Sequence, residues 1–340
     1  MVPSFLGAQV KIQLRAEVLG RRKAGKHMFI GVDHGTRAIR FANHHGDGIA
    51  IPRSEAGSLK PEGILERIKD HFHAGSFDLV ALCYSMGDGI TRITRIQDAE
   101  NRGLARLSGA GIEVGGGTRV YEAMMISGWP VVLLPGVHRG SKIDVRMKVF
   151  SHGASPEKVG LGYYVVRRGV ENAVIADASS NTVTIGINDG RIAGAIDAPI
   201  FAPGLLQGPL DVDAIRAVDD GMMTANEAFS HGGILRRMNI PDERDELALE
   251  TLALFAAMEM SAMSVLLRDL GAGSPDMFIA GDPAARIAGR VSELLGVDVN
   301  PLPSFASATG CAWIAEDISG GMRSIMGIDV DERVFRNHEI

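Results

Sequence analysis

A short pattern that occurs twice constrains the fold of this chain more than any other feature. Residues 29–41, FIGVDHGTRAIRF, contain an apolar strand that ends in Asp33, a turn with Gly35 and a second strand. Residues 173–187, AVIADASSNTVTIGI, repeat this order, with Asp177 at the end of the strand and small polar residues behind it. The two aspartates are 144 positions apart, from 33 to 177, which indicates an internal duplication.

Each copy predicts a small antiparallel β-meander. Gly35 is typical of a hairpin turn, and the sequence NDG at residues 188–190 predicts a tight hairpin that leads into a strand at 191–196. In the first copy alone, a plain β-turn explains Asp33 as well as a functional role does. The repetition favours a function, because two such halves that face each other bring two aspartates to one cleft.

The two turns carry groups suited to a nucleoside triphosphate. Backbone N–H groups in such turns can hold phosphate oxygens, and the two carboxylates can bind Mg²⁺ through its waters. The predicted phosphate contacts are Gly35, Thr36, Ser179, Ser180 and Asn181, and the predicted metal ligands are Asp33 and Asp177.

Both turns resemble known phosphate-binding motifs. Residues 33–40, DHGTRAIR, are similar to the first phosphate motif of the acetate and sugar kinase, Hsp70 and actin superfamily, and residues 177–182, DASSNT, which end in Thr182, resemble the second. The resemblance implies an α/β protein with the two-domain actin-like ATPase fold, which is ribonuclease H-like. In that fold a duplicated β-sheet core is flanked by helices, and ATP and Mg²⁺ lie in a cleft between the domains. Ser179 replaces the usual glycine of the second motif, which leaves the backbone less free.

Further segments narrow the resemblance. LPGVHR, FSHGASPEK and DAPIFAPGLLQGPL are similar in order and style to segments of acetate and butyrate kinases. Together with MTANEAFS and ATGCAWIAEDI, the set resembles the methanogenesis marker 12 protein family, from about residue 28 almost to the C-terminus. That family is named for its occurrence in methanogens, and the resemblance implies no established reaction.

The resemblance also suggests roles for residues outside the two turns. In acyl-phosphate kinases a histidine near the position of His152 steadies the transferring phosphoryl group, so His152 is a catalytic candidate; an exposed loop histidine is the alternative. Arg139 is a second catalytic candidate, since its planar fork suits a carboxylate or phosphate, and a surface arginine is its alternative. Gly281 and Asp282 resemble the adenosine motif, with an aspartate in place of its second glycine. The loop at residues 202–211 lacks the arginine that acetate kinases carry there, which weakens a carboxylate-kinase assignment.

Other polar residues have structural explanations. Thr224 and Glu227 have the spacing of a capping box, so Glu227 is more simply a helix cap than a catalytic acid. The histidine pairs at 44–45 and 71–73 lack the spacing of a convincing metal site. The small residues of 305–315 predict a helix that packs closely against its neighbours.

Composition excludes several classes of protein. A formal net charge of -6 argues against broad nucleic-acid binding, which relies on basic surface. Two distant cysteines, Cys83 and Cys311, predict neither a disulfide framework nor a zinc site, and a reducing cytoplasm fits. Residues 247–270 are apolar, but interspersed glutamates and serines predict a buried helix rather than a membrane span. No segment has the layout of a secretory signal peptide.

The expected domains follow from the duplication. Residues 28–168 and 169–330 are predicted to be the first and second actin-like ATPase domains, and 331–340 a C-terminal tail. Residues 1–27 are basic and predict a disordered tail, or an upstream start before Met28. The alternative is an amphipathic segment that docks on a partner or membrane surface.

Two functions fit these features. In one, ATP binding or slow hydrolysis drives a switch that serves a methanogenesis enzyme or assembly factor. In the other, the protein is a phosphotransferase that acts on a small acidic or hydroxyl acceptor. A degenerate relative that binds no nucleotide is a third expectation, and the oligomeric state stays open, with a homodimer as one expectation.

Overall fold

The computed structural model describes residues 27–84, 86–106 and 115–338. Two β-sheets dominate it, and helices pack around and between them. The predicted N-terminal tail lies outside the described residues except for His27. The domain boundaries proposed from the sequence remain predictions.

The first sheet contains the first Asp-turn. Within the described residues its strands are β1 (Phe29–His34), β2 (Ala38–Asn43), β3 (Gly48–Pro52), β4 (Leu79–Leu82), β5 (Thr94–Arg95) and β6 (Val131–Leu133), in the spatial order β3-β2-β1-β4-β6-β5. Strands β1, β2 and β3 form an antiparallel meander, whereas β4 and β6 run parallel to β1. Two short strands, β7 (Val137–His138) and β8 (His152–Ala154), form a separate antiparallel pair.

The second sheet repeats this arrangement. In the same described part of the chain its strands are β9 (Ala173–Ala178), β10 (Thr182–Asn188), β11 (Arg191–Ile196), β12 (Asp276–Ala280) and β13 (Val299–Pro301), in the order β11-β10-β9-β12-β13. Again an antiparallel meander is followed by two parallel strands. Asp33 and Asp177 are each the fifth residue of the first strand of their sheet. The predicted duplication of the β-meander is therefore confirmed. A short hairpin, β14 (Ser324–Ile325) with β15 (Ile328–Asp329), follows near the C-terminus.

The helices cover both faces of the sheets. They are α1 (Arg53–Ser58), α2 (Pro61–Phe72), α3 (Gly116–Ile126), α4 (Glu157–Val166), α5 (Val212–Asp219), α6 (Ala225–Ser230), α7 (Ile234–Arg237), α8 (Glu246–Asp269), α9 (Ala284–Leu295) and α10 (Ala306–Ser319). The predicted capping box is confirmed, since the Thr224 side chain accepts from the Glu227 N–H and Glu227 binds the Thr224 N–H. Residues Glu332–His338, in the predicted C-terminal tail, form a 3₁₀ segment.

Helices α4 and α10 form a layer between the two sheets. Helix α10 packs on β1, β2 and β4, while α4 contacts α10, β1, β9 and β10. Glycines permit these close approaches: a Cβ on Gly31 would lie 1.9 Å from the Ala308 carbonyl oxygen, and one on Gly310 would lie 1.9 Å from the Gly160 carbonyl oxygen. The predicted close packing of the small-residue helix is confirmed. This layer brings the N-terminus of α4 to the edge of the sheets where both Asp-turns lie.

Helix α8 is only half buried. Ten of its 24 residues are buried, and they pack against the second sheet and α9. Among the described helices it alone is long and apolar enough to cross a membrane, a criterion that core helices of soluble proteins also meet. The sequence predicted a buried helix, but the structure buries only one face and leaves the other exposed to solvent.

Candidate functional site

Both Asp-turns open into one cleft. It contains about 690 Å³ of space not filled by protein atoms and is open to solvent. Nine of the predicted site residues line it: Asp33, Gly35, Thr36, Asp177, Ser179, Ser180, Asn181, Gly281 and Asp282. One segment from the first half of the chain and two from the second half therefore converge here.

Arg40 connects the first turn with the second half of the chain. It lies opposite Asp33 in the β1–β2 pairing, and one guanidinium nitrogen is 3.7 Å from the Asp33 carboxylate. The other donates to Asp282 at 3.1 Å. Arg37, in the same turn, donates to Glu243 at 3.1 Å. Two ion pairs thus join the first turn to segments beside the second sheet.

Lys158 lies on the floor of the cleft. Its ammonium is buried and stands 2.8 Å from the Asp177 carboxylate and 3.1 Å from that of Glu157. Burial disfavours the charged form, but the carboxylates of Asp177 and Glu157 outweigh it and raise the pKa of Lys158 above its ordinary value. The lysine is therefore a permanent cation, fixed in position without being exposed.

The Asp33 carboxyl, unlike the Lys158 ammonium, favours its uncharged form. Burial, followed by the nearby Glu157 carboxylate, raises the pKa of Asp33 from 3.8 to about 7, although Arg40 opposes the shift. Asp177 Oδ1 is buried and has no hydrogen-bond partner in the described part of the chain. A buried carboxylate that resists ionisation and an unpaired carboxylate oxygen are both satisfied by an added cation. The donor set fits Mg²⁺, which accepts one or two protein carboxylates and completes its shell with water and phosphate.

The turn after β12 approaches the turn after β9 very closely. Gly281 has φ +108°, and a Cβ there would lie 2.4 Å from the Ala178 carbonyl oxygen. Any side chain at this position would push the two turns apart. Glycine therefore brings Asp282 next to the second Asp-turn and within reach of Arg40.

The glycine-rich loop that follows β11 braces the second Asp-turn. The N–H groups of Leu205 and Leu206 donate to the carbonyls of Ser179 and Ser180, both at 2.9 Å. A Cβ on Gly204 would lie 2.3 Å from the Asn181 Cα. This loop is thus part of the site's support and not merely a connection between domains.

Three predicted site residues do not line this cleft. Thr182 is fully buried and donates to the Pro203 carbonyl at 3.0 Å. Arg139 donates to the carbonyls of Lys148 and Val149, at 3.1 and 3.2 Å, and so holds a neighbouring turn.

His152 lies on β8 and pairs with Asp197. Its Nδ1 is 2.8 Å from the Asp197 carboxylate. Burial lowers the pKa of His152, but the hydrogen bond to Asp197 and the charge of that carboxylate, with smaller contributions from Met86 and Asp88, outweigh burial and raise the pKa above its ordinary value. The structure therefore contains a half-buried histidine and carboxylate pair outside the cleft that holds the Asp-turns.

The sequence interpretation missed Lys158, Glu157 and Arg40. Arg40 is the last residue of the first motif and lies opposite Asp33 in a hairpin. Glu157 and Lys158 are the only charged residues of α4, whose sequence is EKVGLGYYVV. Two adjacent charges at the start of an otherwise uncharged helix could have indicated these two residues, because charged side chains are rarely buried unless they are paired.

Comparison with known proteins finds relatives that are similar in sequence over most of this chain. No family model matches the chain. A UPF0285 protein of Methanosarcina mazei is 45% identical over 322 residues, which cover 89% of this chain and 99% of the relative. A UPF0285 protein of Methanocaldococcus jannaschii is 39% identical over 326 residues, with 89% and 98% covered. The chain belongs to the UPF0285 family. Both of these relatives come from methanogens.

Solved structures show the same fold at low identity. Porphyromonas gingivalis acetate kinase matches with a TM-score of 0.52 and 10% identity, covering 86% of this chain and all of that chain (100%). A propionate kinase from Francisella tularensis matches with a TM-score of 0.51 and 9% identity over 86% of this chain and 99% of that chain. The predicted actin-like ATPase fold is confirmed for this UPF0285 protein, and its structural neighbours include acetate and propionate kinases.

Proposed function

We propose that this UPF0285 protein binds MgATP in the cleft between its two Asp-turns, and that binding or slow hydrolysis of ATP switches its conformation. On this proposal it belongs to the methanogenesis marker 12 family and acts as an accessory factor that contacts a methanogenesis enzyme or assembly factor in the cytoplasm. The observation that carries the proposal is the convergence of Asp33, Asp177 and Lys158 on one cleft.

The cleft supplies donors and cations for a triphosphate. The Ser179 N–H donates to the Asn181 carbonyl within its own turn, which leaves the amides of Ser180 and Asn181 for phosphate oxygens. Lys158 adds a fixed positive charge, and Asp33 and Asp177 would hold Mg²⁺. When bound, Mg²⁺ neutralises charge on the phosphates.

The ion pairs across the cleft support a switch. The Arg37 pair with Glu243 and the Arg40 pair with Asp282 both join the first turn to the second half of the chain. A triphosphate placed between the turns competes with the carboxylates for the two arginines, because phosphate oxygens are strong acceptors for a guanidinium. Nucleotide binding then favours a different arrangement of the two halves, as expected when a ligand interacts unequally with two states.

The half-buried pair of His152 and Asp197 is the observation that favours a phosphotransferase as the second candidate. Asp197 orients the imidazole through Nδ1, so Nε2 is left to stabilise a transferring phosphoryl group or to move a proton. The substrate would be a small acidic or hydroxyl acceptor. This function requires a conformation in which His152 reaches the cleft.

Calorimetric titration of MgATP tests nucleotide binding. We expect the parent protein to bind MgATP, and we expect the dissociation constant to be at least tenfold higher for Asp33→Ala and for Asp177→Ala. Asp298→Ala is the matched control, because it removes an exposed aspartate after α9 and should leave affinity unchanged. A parent protein that binds no ATP up to millimolar concentration would rule out both candidate functions.

ATP turnover then separates the two candidates. A phosphotransferase consumes ATP faster when acetate, butyrate or a small alcohol is added, and His152→Ala abolishes that increase. A switch shows slow turnover that none of these acceptors changes, while nucleotide binding persists in His152→Ala.

A further inference from the structure

Helix α8 presents an uncharged apolar face to solvent. Leu247, Leu254, Met258 and Val265 are 56%, 44%, 45% and 59% exposed. They follow one another at intervals of seven, four and seven residues, so they lie on one side of the helix. From residue 247 to residue 265 this side extends for about 27 Å at 1.5 Å per residue.

Small and hydroxyl-bearing residues complete this face, and aromatic residues border it. Thr251, Ser261 and Ala262 lie between the exposed apolar side chains. On one edge, Phe201 packs against Phe255 with ring centroids 5.9 Å apart. We call the exposed side of residues 247–265 the α8 face. Monomeric soluble proteins seldom leave a continuous apolar surface of this length uncovered.

We propose that the α8 face binds the α8 face of a second copy of this chain, with the two helices antiparallel about a two-fold axis near Met258. The face has no charge that would select a charged partner, and an apolar stripe is complementary to itself. Small residues at positions 261 and 262 allow two such helices to approach closely. A two-fold pair also closes, so it buries the stripe without building a fibre.

Charges at the rim of the α8 face fit the antiparallel arrangement. Glu250 lies near one end and Arg268 near the other, and both project from the same edge, since 18 residues make five full turns. A two-fold axis midway between them places Glu250 of each copy opposite Arg268 of the other. Arg268 donates only to the Ser264 carbonyl of its own helix, at 3.3 Å, and has no carboxylate partner within the described residues. Glu250 already binds Arg290 at 2.9 Å, which holds the carboxylate at the rim.

The surroundings of the α8 face disfavour a membrane as its partner. Asp245 and Glu246 flank one end and Asp269 the other, and the chain carries a formal net charge of -6. Anionic lipid headgroups repel such a surface, because peripheral helices that bind bilayers rely on lysine and arginine along their rim.

Sedimentation equilibrium of the full-length protein across concentrations tests the pairing. We expect a monomer–dimer equilibrium whose dissociation constant rises at least tenfold in Met258→Glu. The matched control is Ile126→Glu, which places the same charge at an exposed apolar residue of α3 and should leave the equilibrium unchanged. A purely monomeric parent protein, or equal effects of both variants, would overturn the proposal.

Charge reversal tests the antiparallel register. Glu250→Arg and Arg268→Glu should each weaken the dimer several-fold, because like charges then face each other across the axis. The double variant should recover most of the affinity of the parent protein. Met258→Cys adds a second readout, since mild oxidation should cross-link two copies. No rescue and no cross-link, or sedimentation of the monomer with phosphatidylglycerol vesicles, would show that something other than a second copy covers the face.

Discussion

Asp33 illustrates how a site residue can oppose stability. Its carboxyl is buried beside Glu157, and this raises its pKa to about 7, so the ionised form is disfavoured. The unfolded chain gives up the same proton near pH 4. Between these values the folded state holds a proton that the unfolded state has lost, so this group's contribution to the free energy of unfolding falls as the pH rises through the window.

Replacing Asp33 with asparagine should therefore stabilise the protein while it removes the proposed metal ligand. We expect Asp33→Asn to raise the free energy of unfolding by about 1–4 kcal/mol at pH 8, with little gain at pH 4. Urea denaturation at the two pH values measures this difference. A gain that does not depend on pH would show that the buried charge is not its cause.

Glu259 is a second buried carboxyl, and it does not line the cleft. It accepts a hydrogen bond from the Ala202 N–H at 3.1 Å, and burial raises its pKa to about 8. Since the folded pKa lies above the ordinary value of 4.5, its contribution to stability is complete at pH 4.5 and is lost as the pH rises towards 8.

Glu259→Gln keeps an acceptor for the Ala202 N–H but cannot ionise. We expect the variant to lose less stability than the parent protein between pH 6 and pH 9, because the buried negative charge no longer forms. Thermal unfolding across this range is the measurement. Parallel pH profiles for the two proteins would mean that Glu259 is already ionised in the folded protein at pH 6, as it is in the unfolded chain.

The contact between the turns after β9 and β12 depends on one glycine. Gly281 has φ +108°, and a Cβ there would lie 2.4 Å from the Ala178 carbonyl oxygen, which is too close for any side chain. Gly289, within α9, has no atom within 4 Å of the position of its missing Cβ. The same substitution, glycine to alanine, can therefore be compared at a crowded position and at an open one.

Gly281→Ala should separate the two turns and weaken MgATP binding at least tenfold, with a loss of about 1–3 kcal/mol in stability. Gly289→Ala should instead add about 0.5–1 kcal/mol, because alanine favours a helix interior. Urea denaturation and calorimetric titration of both variants measure the two effects. If Gly281→Ala bound MgATP as well as the parent protein, the close approach of the turns would not matter for the ligand.

At the level of the whole molecule, two ion pairs join the halves of the chain across the cleft. The Arg37 pair with Glu243 is partly exposed, and such pairs contribute about 0–1 kcal/mol to stability. We therefore expect the two ion pairs to change how readily the cleft opens and to have little effect on the free energy of global unfolding.

Arg37→Ala should speed hydrogen exchange of the first Asp-turn, residues 35–37, while changing the free energy of unfolding by less than about 1 kcal/mol. Arg290→Ala is the control, because it breaks a comparably exposed pair with Glu250 inside the second half of the chain. Hydrogen exchange followed by mass spectrometry resolves the turn. Equal exchange of the turn in both variants would show that the ion pair does not restrain the cleft.

Local features of the fold were predictable because their causes lie within a few residues. The two meanders follow from alternating apolar strands and from turn residues such as Gly35 and Gly190. The capping box at Thr224 and Glu227 depends on residues three positions apart. Strand, turn and cap chemistry operate over that range, so the order of amino acids was enough to place the two Asp-turns and to indicate that they are related.

The composition of the cleft depended on contacts between distant segments. Lys158 reaches Asp177 because α4 is packed between the sheets through Gly160 and Gly310, and no local pattern records that packing. The same packing leaves Thr182 turned inwards and His152 outside the cleft. Hydrogen bonding and side-chain alternation between neighbours specify the strands and turns, whereas close packing of elements far apart in the chain decides which side chains meet.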